Sequence, residues 1–419
     1  MAECPGIAHL ADMADGGLAR VRTPGGRLSA DQARAVANAA ETLGSGVIDL
    51  TNRANLQIRG LPLDAGPGLG ERLAAVGLYT GGEADRRRNV LLDPLAGLDP
   101  MEVVDLRPLA SAVADALGSS DFAADLSPKF SVALDGGGRA GLAATASDLT
   151  LLAFRDGEGR VALALALASR PLGVATRPEA AVAAILAVAG AAAALGPDTR
   201  ARDLAPHVVA ADLVASGLAA TGADVAWPSE VRPIFGALPP SRSRSRAAVA
   251  IPVAVGRLDA RQLRWLADRA DQDGDGALVL APWSAVVLPG VAPGRTADLL
   301  RQSEAAGFPP VAVVERLTVV ACAGAPSCVR AREPAKAVGL ALLARAAASG
   351  LAPLARVHLS ACGKGCAGPA DADLLLLGAS DAPGWTLHAR AAPRRPGPVL
   401  GRLPAADADA ILDWLQRRG

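Results

Sequence analysis

Four of the five cysteines in this 419-residue chain fall in two short runs, Cys322-x5-Cys328 and Cys362-x3-Cys366. Thiols offered in pairs from two loops suit a [4Fe–4S] cluster, a roughly spherical body that needs four thiolates converging on it. The first run, ACAGAPSC, holds small residues and a proline, so its backbone could pass close to a cluster. The second, ACGKGC, has two glycines for tight turns and Lys364 to offset thiolate charge. Structural zinc is the competing use of four cysteines, but its knuckles usually separate ligands by about two to four residues. A zinc protein would be colourless. Cys4, alone in CPGIAH, reads as a free thiol.

Each cysteine run follows a segment patterned as a strand, 313–321 and 356–360, which would bring both pairs to one edge of a sheet. The wider organisation is set by a repeat. Residues 26–60, GRLSADQARAVANAAETLGSGVIDLTNRANLQIRG, align without a gap on residues 256–290, GRLDARQLRWLADRADQDGDGALVLAPWSAVVLPG. Each copy reads as a strand, a GRL turn, an amphipathic helix with Ser or Asp at its cap, a Gly-x-Gly turn and one more strand. Strands are expected after the first copy at 130–134, 149–154 and 160–168, and after the second at 356–359, 373–377 and 385–389. Helices follow at 179–195 and 405–418. The joint between halves is expected at Leu238-Pro239-Pro240 and the SRSRSR run of 241–246, read as a solvated linker.

Lys and Arg total 42 and so do Asp and Glu, so charge points to no nucleic-acid or membrane partner. Half the residues are hydrophobic, which excludes a disordered chain. The apolar run 180–195 follows Arg177-Pro178-Glu179 and is too short and alanine-rich for a membrane span, so a buried helix is expected. No secretory signal is visible, which predicts a cytoplasmic, reducing setting and favours metal ligation over disulfides. No dinucleotide-binding or flavin domain is evident, so electrons would come from a separate donor, a ferredoxin or an NAD(P)H-dependent reductase.

Beyond the cysteines, Thr51-Asn52-Arg53-Ala54-Asn55-Leu56-Gln57-Ile58-Arg59-Gly60 resembles the T-x-R-x-N-x-Q-x-R-G strand of the sirohaem-dependent nitrite and sulfite reductase superfamily. Arg88-Asn89 followed by Asp93-Pro94-Leu95-Ala96-Gly97-Leu98-Asp99 resembles its R-N-x-x-x-x-P-L-A-G-x-D segment. Leu126-Ser127-Pro128-Lys129-Phe130 resembles its L-P-x-K-F segment. The likeness spans nearly the whole chain. It implies an α+β fold of two ferredoxin-like half-domains, at 1–78 and 239–310, and two α/β lobes, at 79–238 and 311–419. It also implies that Cys322, Cys328, Cys362 and Cys366 bind the cluster, with Cys366 the bridge to sirohaem where sirohaem is present. Arg53, Arg88 and Lys129 would be catalytic. Arg53, Asn55, Gln57, Arg59, Arg88, Asn89 and Lys129 would bind the tetrapyrrole. Ser131 stands where sulfite reductases carry a second lysine, which weakens a sulfite assignment. In the second repeat Arg53, Asn55, Gln57 and Arg59 face Trp283, Ala285, Val287 and Pro289, so that copy reads as structural.

Within the superfamily, the opening CPGIAHLADMADGGLARVRTPGGRLS and the run PKFSVALDGGG are similar to the oxygen-using precorrin hydroxylases of aerobic cobalamin biosynthesis. That resemblance implies O2-dependent hydroxylation of precorrin-3A at C-20 with closure of a γ-lactone, using a [4Fe–4S] cluster and a mononuclear non-haem iron. Sirohaem would be bound only if the chain were a nitrite or sulfite reductase. A carboxylate-rich tetrapyrrole suits a pocket of Arg20, Arg22, Arg53, Arg59, Arg86, Arg87, Arg88 and Lys129 in either case. None of His9, His207, His358 and His388 forms a facial-triad pattern, so the second iron has no assigned ligands. A non-catalytic iron–sulfur electron carrier is the reading from another class, and it has no need of the Arg53–Arg59 arginines.

Overall fold

Ser29 and Asp259 stand one residue ahead of amphipathic runs, and in the computed structural model both cap a helix. Each accepts a hydrogen bond from the amide of the glutamine three residues on, and that glutamine reaches back to the cap residue's own N–H. Such a cap is worth about 1 kcal/mol. The structure describes residues 5–222, 224–239, 245–350, 354–366, 371–378, 383–391, 395–403 and 407–417. Cys4 and residues 241–244 of the expected linker lie outside them. The capped helices, Ala30–Leu43 and Ala260–Asp273, pack against each other. Arg34 reaches Asp268 and Asp271 across the contact, and Arg264, its counterpart in the repeat, reaches Asn38 and Glu41.

Two five-stranded antiparallel sheets flank this helix pair. The first runs Ala11–Met13, Gly16–Val21, Leu56–Leu61, Val47–Leu50, Arg257–Asp259. The second runs Gly236–Leu238, Ala247–Pro252, Ala285–Val291, Ala277–Ala281, Arg27–Ser29. The GRL segments, expected as turns, are thus edge strands, and each completes the sheet of the other repeat. Gly26 and Gly256, at φ +71° and +67°, swing the chain out of its own sheet, a conformation that favours glycine. A Cβ on Gly26 would meet the Leu280 carbonyl oxygen at 2.8 Å. The inner faces merge into one core, with Ile48, Leu56 and Ile58 beside Leu278, Val286 and Leu288. The strand Gly236–Leu238 belongs to the second sheet, ahead of the boundary expected at 239.

Each half-domain is followed by a lobe of matching order. The first lobe sheet has parallel strands Val90–Leu92, Val132–Asp135 and Leu149–Arg155, then antiparallel Val161–Leu167, Arg170–Thr176 and Ala220–Thr221. The second has parallel Leu317–Ala321, Ala355–Ser360 and Ala372–Gly378, then antiparallel Trp385–Ala391 and Val399–Leu403. Helix Arg107–Ser119 packs on Ala181–Ala193 in one lobe, and Ala335–Ser349 on Ala408–Gln416 in the other. The duplication therefore extends through the lobes. The strand expected from 313 begins at Leu317, because Val311–Val314 forms a helical turn whose Pro310 carbonyl accepts from Val313 and Val314. The apolar run 180–195 is a lobe helix with Ile185 and Val188 in the core, and among the described residues no helix is long and apolar enough to cross a membrane.

Candidate functional site

Parallel strands Leu317–Ala321 and Ala355–Ser360 are neighbours, paired from Leu317 opposite Ala355 to Ala321 opposite Leu359. Cys322 and Cys362 leave the same carboxyl end of that pair, the usual place for a site in a parallel sheet. The two loops are bonded to each other. The Cys322 N–H donates to Leu359, the Ala361 N–H points at Cys322 Sγ from 3.2 Å, and the Arg332 N–H donates to Ala361. Burial pushes the Cys322 thiol up, against N–H groups of Ala361 and Gly324 that favour a thiolate; nearby Cys366 and Cys362 push it further. Cys322, Cys328 and Cys362 are half-buried and Cys366 is exposed. Four soft thiols on two cross-bonded loops, one already facing an N–H donor, are the donor type an iron–sulfur cluster takes. Among the described residues no three His, Cys, Asp or Glu side chains close on a single metal ion.

The second group of expected site residues lies on the face of the first half-domain sheet opposite its helix. Alternation sets this face: Leu56 and Ile58 enter the core, so Gln57 and Arg59 turn away from it. A cross-strand row runs Arg20, Gln57, Asp49, Arg257 through direct register. Arg257 grips both Asp49 oxygens at 2.8 and 3.0 Å, and Lys336 reaches Asp49 at 3.0 Å and the Val255 carbonyl at 2.9 Å. Burial alone would raise the Asp49 carboxyl; Arg257 and Lys336 outweigh it and hold the group below its usual range. The same face of the second half-domain is apolar, with Val279 and Val287 packed under Leu95 of the first lobe.

The three sequence blocks meet around the end of strand Gly16–Val21. Thr23 donates its N–H to Asn55 Oδ1 at 3.0 Å and its hydroxyl to the Ala54 carbonyl at 2.5 Å, fixing the turn that carries Arg53. Arg22, fully buried, donates to Asn89 Oδ1 at 3.0 Å. The Asn89 amide then donates to the carbonyls of Arg86, Pro128 and Phe130, which seats the loop bearing Lys129. Asn55 and Asn89 are thus engaged within the protein, and so is Arg59, which grips Asp15 at 2.8 and 2.9 Å. Arg53 and Gln57 are half-buried, and Lys129 is exposed. Arg88 lies 3.5 Å from Asp85, whose carboxyl burial raises against the charges of Arg22 and Arg88. Arg87 is turned inward onto the carbonyls of Ala123 and Ala124. Asp93 and Asp99 build turns, accepting from the Leu95 and Met101 amides; burial and neighbouring Asp135 push Asp93 up to about 7. Ser131 is buried with its hydroxyl on Asp148, which Arg200 also grips.

His9 and His207 are exposed. His358 and His388 are buried on either side of Leu375 in the second lobe sheet. Burial, helped by Arg356, pushes His358 down to about 4, and His388 Nδ1 lies 2.8 Å from the Gly397 carbonyl.

Comparison with known proteins decides the ancestry. The family described as the nitrite/sulfite reductase ferredoxin-like half domain matches residues 11–76 and 240–306. A precorrin-3B synthase of Sinorhizobium sp is 31% identical over 396 residues, covering 93% of this chain and 83% of that protein. The chain belongs to the nitrite/sulfite reductase superfamily. A ferredoxin–nitrite reductase of Synechococcus elongatus is 30% identical over 401 residues, covering 86% of this chain and 76% of its own. The structure of the Mycobacterium tuberculosis NirA protein superposes with a TM-score of 0.76 at 19% identity, covering 96% of this chain and 80% of that one, which shows the shared fold. The two superfamily matches to the half-domain coincide with the two sheets that exchange GRL strands. Within this superfamily fold, the sequence motifs single out the cysteines and the Arg53 turn and carry no sign of the buried Asp49 and Lys336. A lone buried lysine two residues after a proline-capped start carries no such signal; its partner Asp49 is remote in sequence.

Proposed function

We propose that this chain is a precorrin-3B synthase, hydroxylating precorrin-3A at C-20 with O2 and closing a ring-A acetate onto C-1 as a γ-lactone. One oxygen atom enters the product and the other leaves as water, with two electrons arriving from an external ferredoxin or NAD(P)H-dependent reductase. The observation that carries this reading is the likeness to the Sinorhizobium precorrin-3B synthase over nearly the full length of both chains. The buried Ser131, its hydroxyl on Asp148, stands where sulfite reductases carry a second lysine and weighs against a sulfite reductase, while leaving nitrite reductase open.

In this reading Cys322, Cys328, Cys362 and Cys366 hold a [4Fe–4S] cluster, which supplies single electrons when bound. Arg53, Gln57, Arg88 and Lys129 face the tetrapyrrole and bind its carboxylates through charge-assisted bonds, which also fix its orientation. Asn55 and Asn89 hold the turns that present Arg53 and Lys129. A mononuclear iron would be needed to activate O2, and the described residues offer it no ligand set.

The nitrite reductase relative, at similar identity, favours a second reading in which sirohaem is bound as cofactor. One experiment separates them. Anaerobically purified protein is assayed for extractable sirohaem, then given precorrin-3A, reduced donor and isotopically labelled O2. Product carrying one labelled oxygen, from protein without sirohaem, is expected. Stoichiometric sirohaem and reduction of nitrite without O2 would overturn the proposal.

A further inference from the structure

Arg59 is 2% exposed at the end of strand Leu56–Leu61. Its Nε and one terminal nitrogen grip both oxygens of Asp15, at 2.8 and 2.9 Å. That terminal nitrogen also donates to the Ser327 carbonyl at 3.2 Å, and the other lies 3.6 Å from Asp49. Ser327 is buried and directly precedes Cys328, and its side chain, with Arg59, outweighs burial to hold the Asp15 carboxyl below its usual range. The backbone carbonyl of one residue in the cysteine loop is therefore held by an arginine that is itself fixed by an ion pair from the other end of the chain.

We infer that Arg59 and Asp15 are positioning residues that clamp Ser327 and so set where Cys328 stands relative to the strand bearing Gln57 and the Arg53 turn that leads into it. The inference rests on Cys328 being a cluster ligand only for its functional meaning; the clamp itself belongs to the protein without cofactor. The Arg59 fork holds the Ser327 carbonyl through a charge-assisted bond that is buried from water. Gln57 and Arg59 alternate onto one face of one strand, so a shift of that strand when a tetrapyrrole seats would be transmitted to the cysteine loop through the Arg59–Ser327 bond. Asp49 steadies the clamp from behind, because the same carboxylate takes Arg257 of the second half-domain and Lys336 of the helix that follows the cysteine loop.

The test uses the full-length apoprotein and the rates at which its thiols react with iodoacetamide, read by mass spectrometry. Ser327→Ala removes the hydroxyl beside the Asp15 carboxylate, and Asp15→Asn removes the charge that aligns Arg59. Losing a charge-assisted hydrogen bond should raise the population of the open loop about tenfold. We expect Cys328 alkylation to rise by about that factor relative to exposed Cys366 in both variants. Arg59→Lys keeps a cation beside Asp15 but loses the fork, and is expected to fall between wild type and Asp15→Asn. In reconstituted protein the same variants should lose cluster iron to a chelator faster, in the same order. A uniform rise at all four thiols would mean general loosening and would overturn the clamp. So would an unchanged Cys328 ratio accompanied by weakened tetrapyrrole binding, which would return Arg59 to the ligand surface. Neither alkylation outcome depends on whether the substrate is precorrin-3A.

Discussion

Asp49→Asn should destabilise the pair of half-domains more than its small change in shape suggests. The carboxylate is 4% exposed and serves Arg257 through two bonds, Lys336 through one, and Arg59 at 3.6 Å. Arg59 would keep Asp15 and Lys336 would keep the Val255 carbonyl, while Arg257 would lose both of its bonds. Removing one side of a buried ion pair costs about 3–5 kcal/mol, and these remaining partners place the expectation near the lower figure. At roughly 2–4 °C per kcal/mol for a unit of this size, Tm should fall by roughly 6–12 °C. The assay is a far-ultraviolet circular dichroism melt of apoprotein at neutral pH. Asp275→Asn is the control, because its pair with Arg27 is 39% exposed on both sides and such pairs contribute about 0–1 kcal/mol. Equal melting of the two variants would refute the reasoning. The acid dependence has a fixed sign: the folded-state carboxyl is held below 3.8, so the stabilisation is present above that pH and lost as pH falls through the folded value.

Two other outcomes follow from the geometry. His358 is held neutral down to about 4, so its contribution is full above pH about 6.5 and lost as pH falls from there through about 4, a change of roughly 3 kcal/mol. His358→Leu should flatten that limb of the stability–pH curve, and an acid limb identical to wild type would show that other groups set it. Arg53→Ala should weaken binding of a carboxylate-rich tetrapyrrole at least about tenfold, as expected for one lost charge-assisted contact, while leaving cluster iron in place; loss of the cluster colour in that variant would make the arginine structural.

The repeat was plain in the sequence because its signals are local. Capping residues, helical spacing and the paired glycines each act within a few residues, and both copies carry them. The cysteine runs were legible for the same reason. The GRL segments were misread as turns because three residues say nothing about which sheet they join; that is decided by Ile48 and Leu278, the strand residues opposite Leu258 and Leu28. The Arg53–Arg59 strand looked like one uniform binding surface, yet Arg59 is spoken for by Asp15 and Ser327. Such pairings join distant parts of the chain and leave no periodicity behind. Asn89 was hidden differently: an asparagine beside an arginine in a motif suggests a ligand contact, whereas its amide joins the Arg86 turn to the loop of Pro128 and Phe130 and takes the Arg22 side chain.

The reciprocal exchange of Arg27–Ser29 and Arg257–Asp259 bears on how such a chain could arise. An edge strand that leaves its own sheet to finish a neighbour's is the geometry of a swapped dimer. A single ancestral copy would have met this need only by pairing with a second molecule, each lending the other its GRL strand. Fusion of two copies makes that loan intramolecular and permanent. Once neither copy has to be self-sufficient, their outer faces are free to diverge, and here one became a row of Arg20, Gln57, Asp49 and Arg257 while the other became an apolar seat for Leu95.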